Sequence, residues 1–212
     1  MRRLWFAILA LPVLVWPILC AGASISGRVT TPDGKPIVDA VVFVQEADST
    51  AAAARTATMD QVDKTFVPGL LPIFVGTHVS FPNHDQIHHH VYSFSRTKTF
   101  ELPLYKGEDA KPVLFDKVGV VKVGCNIHDW MSGIILVLPT PWFAKTDSDG
   151  RWQIADLPAG KHTVVWHELS KQKPEETAQQ VADGTSGADM KFVLTLGAAR
   201  PRPAMHGSRR DP

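Results

Sequence analysis

Residues 118–138 read Val-Gly-Val-Val-Lys-Val-Gly-Cys-Asn-Ile-His-Asp-Trp-Met-Ser-Gly-Ile-Ile-Leu-Val-Leu. Two apolar runs, Val118 to Val123 and Ile134 to Leu138, bracket Cys125, His128 and Met131. The first run alternates as a half-buried strand does. The second is continuous, as in a strand covered on both faces. Between them lie a thiol, an imidazole and a thioether.

A further imidazole source stands upstream at His88-His89-His90. Two His, one Cys and a weak axial Met form the ligand set of a mononuclear electron-transfer copper site. Thiolate suits the softer cuprous ion and imidazole suits both oxidation states. The two residues between Cys125 and His128 form a loop tight enough to present both to one ion, and Met131 arrives from its far end. Taken singly, Cys125 and Met131 would be core fillers and His128 a surface histidine. Their combination favours a metal. Zinc seldom recruits Met, so copper is the expected ion, one per chain. The thiol must lose its proton to bind, so affinity is expected to fall at low pH. Along a strand, His88 and His90 face one way and His89 the other. This alternation leaves His89 and His90 both open as the upstream ligand. His84 and His88 read as surface residues, with a weaker second metal site as the other reading.

The chain has 212 residues, 44% hydrophobic and 20% charged, which suits a folded globular protein. Arg2 and Arg3, the apolar run Leu4 to Cys20 and the small residues Ala21-Gly22-Ala23 form an export signal over 1–23. Cleavage after Ala23 is expected. A lipid anchor at Cys20 or an uncleaved anchor are the alternatives. Of the 22 Lys and Arg residues, Arg2 and Arg3 lie in this signal, which leaves 20 basic residues against 21 acidic ones. That balance gives no reason to expect nucleic acid as a partner, and nothing beyond the signal resembles a spanning helix. Cys20 also falls in the signal, so Cys125 has no disulfide partner in the mature chain. A lone thiol in an oxidising compartment is a buried hydrophobe or a ligand.

Short runs bounded by Gly and Pro turns make the rest all-β. Ile25 to Val29, Val38 to Val44, Phe74 to Phe81 (one strand with a break at Gly76) and Val91 to Phe94 are expected strands. Lys191 to Leu196 closes the ordered part. Met59 to Asp63 reads as a helical turn, Ala51 to Ala54 as a linker, and 197–212 as a disordered tail. Asp147-Ser148-Asp149-Gly150 is a tight turn and not a calcium loop, because Pro158 stands where an EF-hand needs Glu. No catalytic triad or acid pair is evident, so an enzyme is not expected.

Gly76-Thr77-His78-Val79-Ser80-Phe81-Pro82-Asn83, His89-His90-Val91 and Cys-x-x-His-x-x-Met followed by a β run resemble the cupredoxins, the blue copper proteins. The copper loop is closest to the amicyanin branch, since plastocyanin-type loops are longer between His and Met. The family spacing from Asn83 implies His89 as the upstream ligand, giving His89, Cys125, His128 and Met131 as the metal set. Many relatives carry Asn after this ligand, and here it is His90. Gly27-Arg28-Val29 with Asp33-Gly34-Lys35-Pro36, and Asp147 to Arg151 with Leu157 to Gly160, resemble a carboxypeptidase-regulatory-like β-sandwich. Together these imply a Greek-key cupredoxin domain over 51–139 inserted into a split sandwich over 24–50 and 140–196. The resemblance further implies an exported, periplasmic single-electron carrier. Its partners would be a c-type cytochrome or a dehydrogenase, with His128 as the entry point. A copper storage or delivery protein is the alternative. Trp130 is either docking surface or packing against the sandwich, and Trp142 and Phe143 are expected between the two domains.

Overall fold

The computed structural model describes residues 23–45, 55–108, 110–157, 162–180 and 188–198. The expected export signal (up to residue 22), the expected linker Ala51–Ala54, residues 158–161 and the expected tail from 199 lie outside them. The strands are β1 (Ala23–Thr30), β2 (Val41–Val44), β3 (Arg55–Thr58), β4 (Asp60–Val62), β5 (Thr65–Val67), β6 (Leu70–Phe74), β7 (Thr77–Ser80), β8 (His89–Ser95) and β9 (Lys98–Tyr105). There follow β10 (Val113–Phe115), β11 (Gly119–Cys125), β12 (His128–Leu138), β13 (Phe143–Lys145), β14 (Arg151–Leu157), β15 (His162–Trp166), β16 (Gln179–Gln180) and β17 (Ala188–Val193). A single 3₁₀ turn, Pro174–Thr177, is the only helical element among the described residues. The protein is all-β. No helix among the described residues is long and apolar enough to cross a membrane.

Three cores alternate with the sheets. Strands β14-β1-β17 and β13-β2-β15-β16 enclose the first, built on Ile25, Val29, Val42, Val44, Trp152 and Phe192. The five-stranded sheet β6-β12-β11-β8-β9 and the sheet β10-β7-β3 enclose another, with Val79, Phe115, Val121, Val123, Cys125 and Ile135. Between them lies a third layer of Val41, Phe43 and Val164 against Leu70, Ile134, Leu136 and Leu138. This explains the two uninterrupted apolar runs. In β12, Ile135 and Val137 face one core while Ile134, Leu136 and Leu138 face the other. In β2, Val42 and Val44 alternate with Val41 and Phe43 in the same way. A strand buried on both faces has no position for a polar residue. Phe143 packs in the middle layer, whereas Trp142 packs against the core of the flanking sandwich.

Two expected elements differ. Residues 74–81 are not one strand: β6 pairs with β12 and β7 with β10 and β3, so the chain changes sheets at Val75-Gly76. Gly76 has φ of 87°, which a glycine adopts without strain. Met59 to Asp63 is not helical either. Met59 and Gln61 are both fully buried while Val62 is exposed, the period of two of an extended chain. Strand β4 then turns into β5 through Asp63 and Lys64, at φ 52° and 56°, as a two-residue hairpin with two left-handed positions requires. The acidic turn at Asp147 is as expected: its Oδ1 accepts the N–H groups of Asp149 (2.9 Å) and Arg151 (2.8 Å).

Beyond β15, His167 accepts the Leu169 N–H on Nδ1 at 3.1 Å. Burial holds its pKa below the ordinary histidine value, and a backbone bond to Val38 and the nearby Glu168 and Asp39 only partly offset this. The unfolded chain therefore takes up the proton first as pH falls, and stability rises with pH across that interval. Thermal melts should show stability declining below about pH 6.5, and His167→Gln should flatten that slope. An unchanged slope would show that His167 does not titrate differently in the two states.

Candidate metal centre

Three strand ends bring the sequence-predicted residues together. His89 opens β8, Cys125 ends β11 and His128 opens β12. Cys125 pairs with His128, so Asn126-Ile127 is a two-residue connection. The next pair back is Gly124 with Ser132, which leaves Asp129, Trp130 and Met131 as a bulge in β12. Bulges of this kind re-aim side chains. Here Met131 enters the same core as Cys125, while Asp129 and Trp130 face outward. On the other side Cys125 pairs with Val91, which places β8 and its first residue beside the thiol.

The nitrogen and sulfur atoms converge. His89 Nδ1 and His128 Nδ1 each lie 3.6 Å from Cys125 Sγ. Ligand atoms of all three residues lie within 4.8 Å of one another. A metal–sulfur bond of about 2.3 Å and a metal–nitrogen bond of about 2.0 Å, meeting at trigonal to tetrahedral angles, separate S and N by roughly 3.5–3.7 Å. The donor set therefore has the spacing that one shared ion needs. The two imidazoles meet edge to face with centroids 5.0 Å apart. His89 is fully buried, whereas His128 keeps 9% of its surface exposed. Burial, then the neighbouring His89 and Lys64, hold the His128 pKa below its usual value, so the ring is neutral and its lone pair available at neutral pH.

His90, the other upstream candidate, turns away. A register shift in the β8–β9 ladder lies between His89 and Val91, and His90 Nε2 meets Glu101 Oε1 at 2.7 Å. His84 Nδ1 meets both carboxylate oxygens of Asp60 at 2.8 Å, and His88 is exposed. Among the described residues, His89, Cys125 and His128 form the one group of three or more such side chains close enough to hold an ion. Trp130 sets its ring edge to His128, centroids 5.2 Å apart, and is 36% exposed. It is not part of the apolar layer against the flanking sandwich.

Two supports were not apparent from residue spacing. Gln61 Nε2 reaches the carbonyls of Phe81 and Pro82, each at 3.1 Å, and the hydroxyl of Tyr105. Burial pushes the Tyr105 pKa up to about 12, so it stays a neutral donor to the Phe81 carbonyl. The second is Asp85, whose Oδ2 lies 2.6 Å from His89 Nε2. Burial would raise its pKa, but the bonds from His89, Lys64 and Asp63 outweigh that and leave it below the usual carboxylate value. No signal in the linear sequence pairs Asp85 with the turn at 63–64.

No family model and no curated protein matches the sequence. Among solved structures, the chain is similar to a purple cupredoxin from Nitrosopumilus maritimus at 26% identity, covering 39% of this chain and 98% of that one with a TM-score of 0.34. It is similar to an oxidised amicyanin variant at 22% identity, covering 45% and 90% with a TM-score of 0.36. A reduced amicyanin variant matches at 21% identity, covering 47% and 98% with a TM-score of 0.37. These neighbours are cupredoxins; the described residues of this chain form an all-β structure that carries the His89–Cys125–His128 group.

Proposed function

We propose that the protein is an exported carrier of single electrons in which His89, Cys125 and His128, with Met131 as a further soft donor, would hold one copper ion. The observation that carries this reading is the convergence of two imidazole Nδ1 atoms on one buried thiol at 3.6 Å. Bound copper would supply a one-electron couple, and the mixed soft and borderline donor set is acceptable to both oxidation states. The protein's own contribution is rigidity. His89 and Cys125 are anchored in paired strands of the five-stranded sheet, and the thiol is packed among Val91, Val121 and Val123. Little rearrangement of such a frame accompanies a change of charge.

His128 is the route in and out. It is the one nitrogen donor that reaches the surface, and Trp130 and the exposed Ile127 flank it. An aromatic and an aliphatic side chain beside the exposed ring suit a redox protein docking there, such as a c-type cytochrome or a dehydrogenase. A storage or delivery role calls for several exchangeable ions. His84 and His90 are each engaged by a carboxylate, which leaves that reading with less to stand on.

The test is an electronic and spin-resonance spectrum of the purified cupric protein with a metal count. The expected result is one copper per chain and an intense thiolate-to-copper visible band. A colourless cupric protein, or several loosely held ions, would overturn the reading.

A further inference from the structure

We propose that Asp85 is a positioning residue of the metal centre: its carboxylate takes the Nε2–H of His89 and so leaves Nδ1 as the bare lone pair facing Cys125. This rests on the copper reading for its consequences, but the His89 geometry stands without it. A neutral imidazole carries its proton on one nitrogen only, and the partner of the other nitrogen fixes which. A metal-ligating His characteristically donates its remote N–H to a carboxylate or carbonyl, which orients the ring and raises its basicity.

Asp85 is itself held from three sides. Its Oδ1 accepts the Asp63 N–H at 2.6 Å and its Oδ2 accepts the Lys64 N–H at 2.8 Å. Both amides come from the β4–β5 turn, where φ is left-handed at each residue. Its own N–H donates to Asn83 Oδ1 at 3.0 Å. Asn83 in turn donates from Nδ2 to the carbonyls of Ile87 (2.9 Å) and Tyr105 (3.0 Å), closing the loop that ends at His89. The hairpin turn at 63–64 thus reaches the metal centre through one carboxylate. That carboxylate keeps only 12% of its side chain exposed, so its charge is weakly screened by solvent. A fixed negative charge one imidazole away favours the more positive oxidation state of a bound ion.

Three variants test this. Asp85→Asn keeps an oxygen that can accept from His89 and Lys64 but removes the charge. Asp85→Leu removes both. Asp85→Glu restores the charge. In the metal-free wild type, nitrogen NMR should find the neutral His89 imidazole in its Nε2–H tautomer, and in Asp85→Leu this tautomer preference should be lost. In the copper protein, Asp85→Leu should lower cupric affinity roughly 10–100-fold. Asp85→Asn should keep the visible band and raise the reduction potential, by about 59 mV for each tenfold selective loss of cupric affinity. Asp85→Glu should recover much of both. A His89 that keeps its Nε2 proton in Asp85→Leu, or a potential unmoved in Asp85→Asn, overturns the proposal. If wild-type copper gives no visible band, the electron-carrier reading fails, while the metal-free NMR arm still decides the role of Asp85.

Discussion

Cys125→Ser is expected to abolish the visible band of the cupric protein and to weaken copper binding by about 100-fold or more. Loss of even a neighbour that orients a ligand costs roughly 10–100-fold, so loss of the thiolate sets a lower bound there. A serine hydroxyl is a hard, neutral donor and cannot replace a soft thiolate. The fold itself should survive. Cys125 is 3% exposed among Val91, Val121 and Val123, and a hydroxyl there costs about 1–3 kcal/mol by mutational precedent. Part of that cost is offset, because His89 Nδ1 and His128 Nδ1 already face the position. The larger difference appears on adding metal. An ion that binds only the folded state stabilises it by about 4 kcal/mol at a thousand times its dissociation constant. Calorimetric melts with and without copper should therefore separate widely for wild type and by no more than about a third as much for Cys125→Ser. Equal copper-dependent shifts in the two proteins would place the ion elsewhere. A variant with an undiminished visible band would remove the thiolate from the site altogether.

How much of this centre could be seen in the sequence follows from which contacts are local. Cys125, His128 and Met131 stand within one loop, so spacing alone exposed them. Spacing did not reveal that Asp129 to Met131 form a bulge, because register depends on which strand lies opposite. The period of two narrowed the upstream ligand without choosing between His89 and His90. In the structure the two are set apart by a register shift and by Glu101 from β9, neither of which alternation contains. Asp85 was out of reach for a different reason. Its partners are amides of a turn more than twenty residues earlier, brought over by a hairpin that the residues at 59–63 did not announce. Residues 74–81 misled in the opposite direction: an apolar run with one glycine looks the same whether the chain continues along a sheet or crosses to the next one.

Gly27→Ala should strongly destabilise the flanking sandwich. Gly27 lies in β1 between β14 and β17, and a Cβ there would stand 2.0 Å from the carbonyl oxygen of Met190 and 2.9 Å from the Trp152 ring. The carbonyl belongs to the parallel ladder with β17, so it cannot move without breaking the strand pairing. Overpacking a well-packed interior costs about 1–3 kcal/mol, and more where backbone must shift, so a loss of at least about 3 kcal/mol is expected. For a protein of this size that lowers the melting temperature by roughly 6–12 °C. Gly34→Ala is the control. Gly34 has φ of 83° but open space around it, so alanine there should cost only the conformational penalty of about 1–2 kcal/mol. The ratio of the two separates glycine used for room from glycine used for its backbone freedom, within one stretch of sequence. The damage should also reach the metal centre. Val41, Phe43 and Val164 of the sandwich cover Ile134, Leu136 and Leu138 of β12, the strand that begins at His128. Unfolding the sandwich alone would leave that apolar face in water, which favours one joint transition over two. In a melt of copper-loaded Gly27→Ala, the visible band and the far-ultraviolet signal should therefore fall together. A band that outlasts the loss of sandwich structure would show that the middle layer does not couple the two cores.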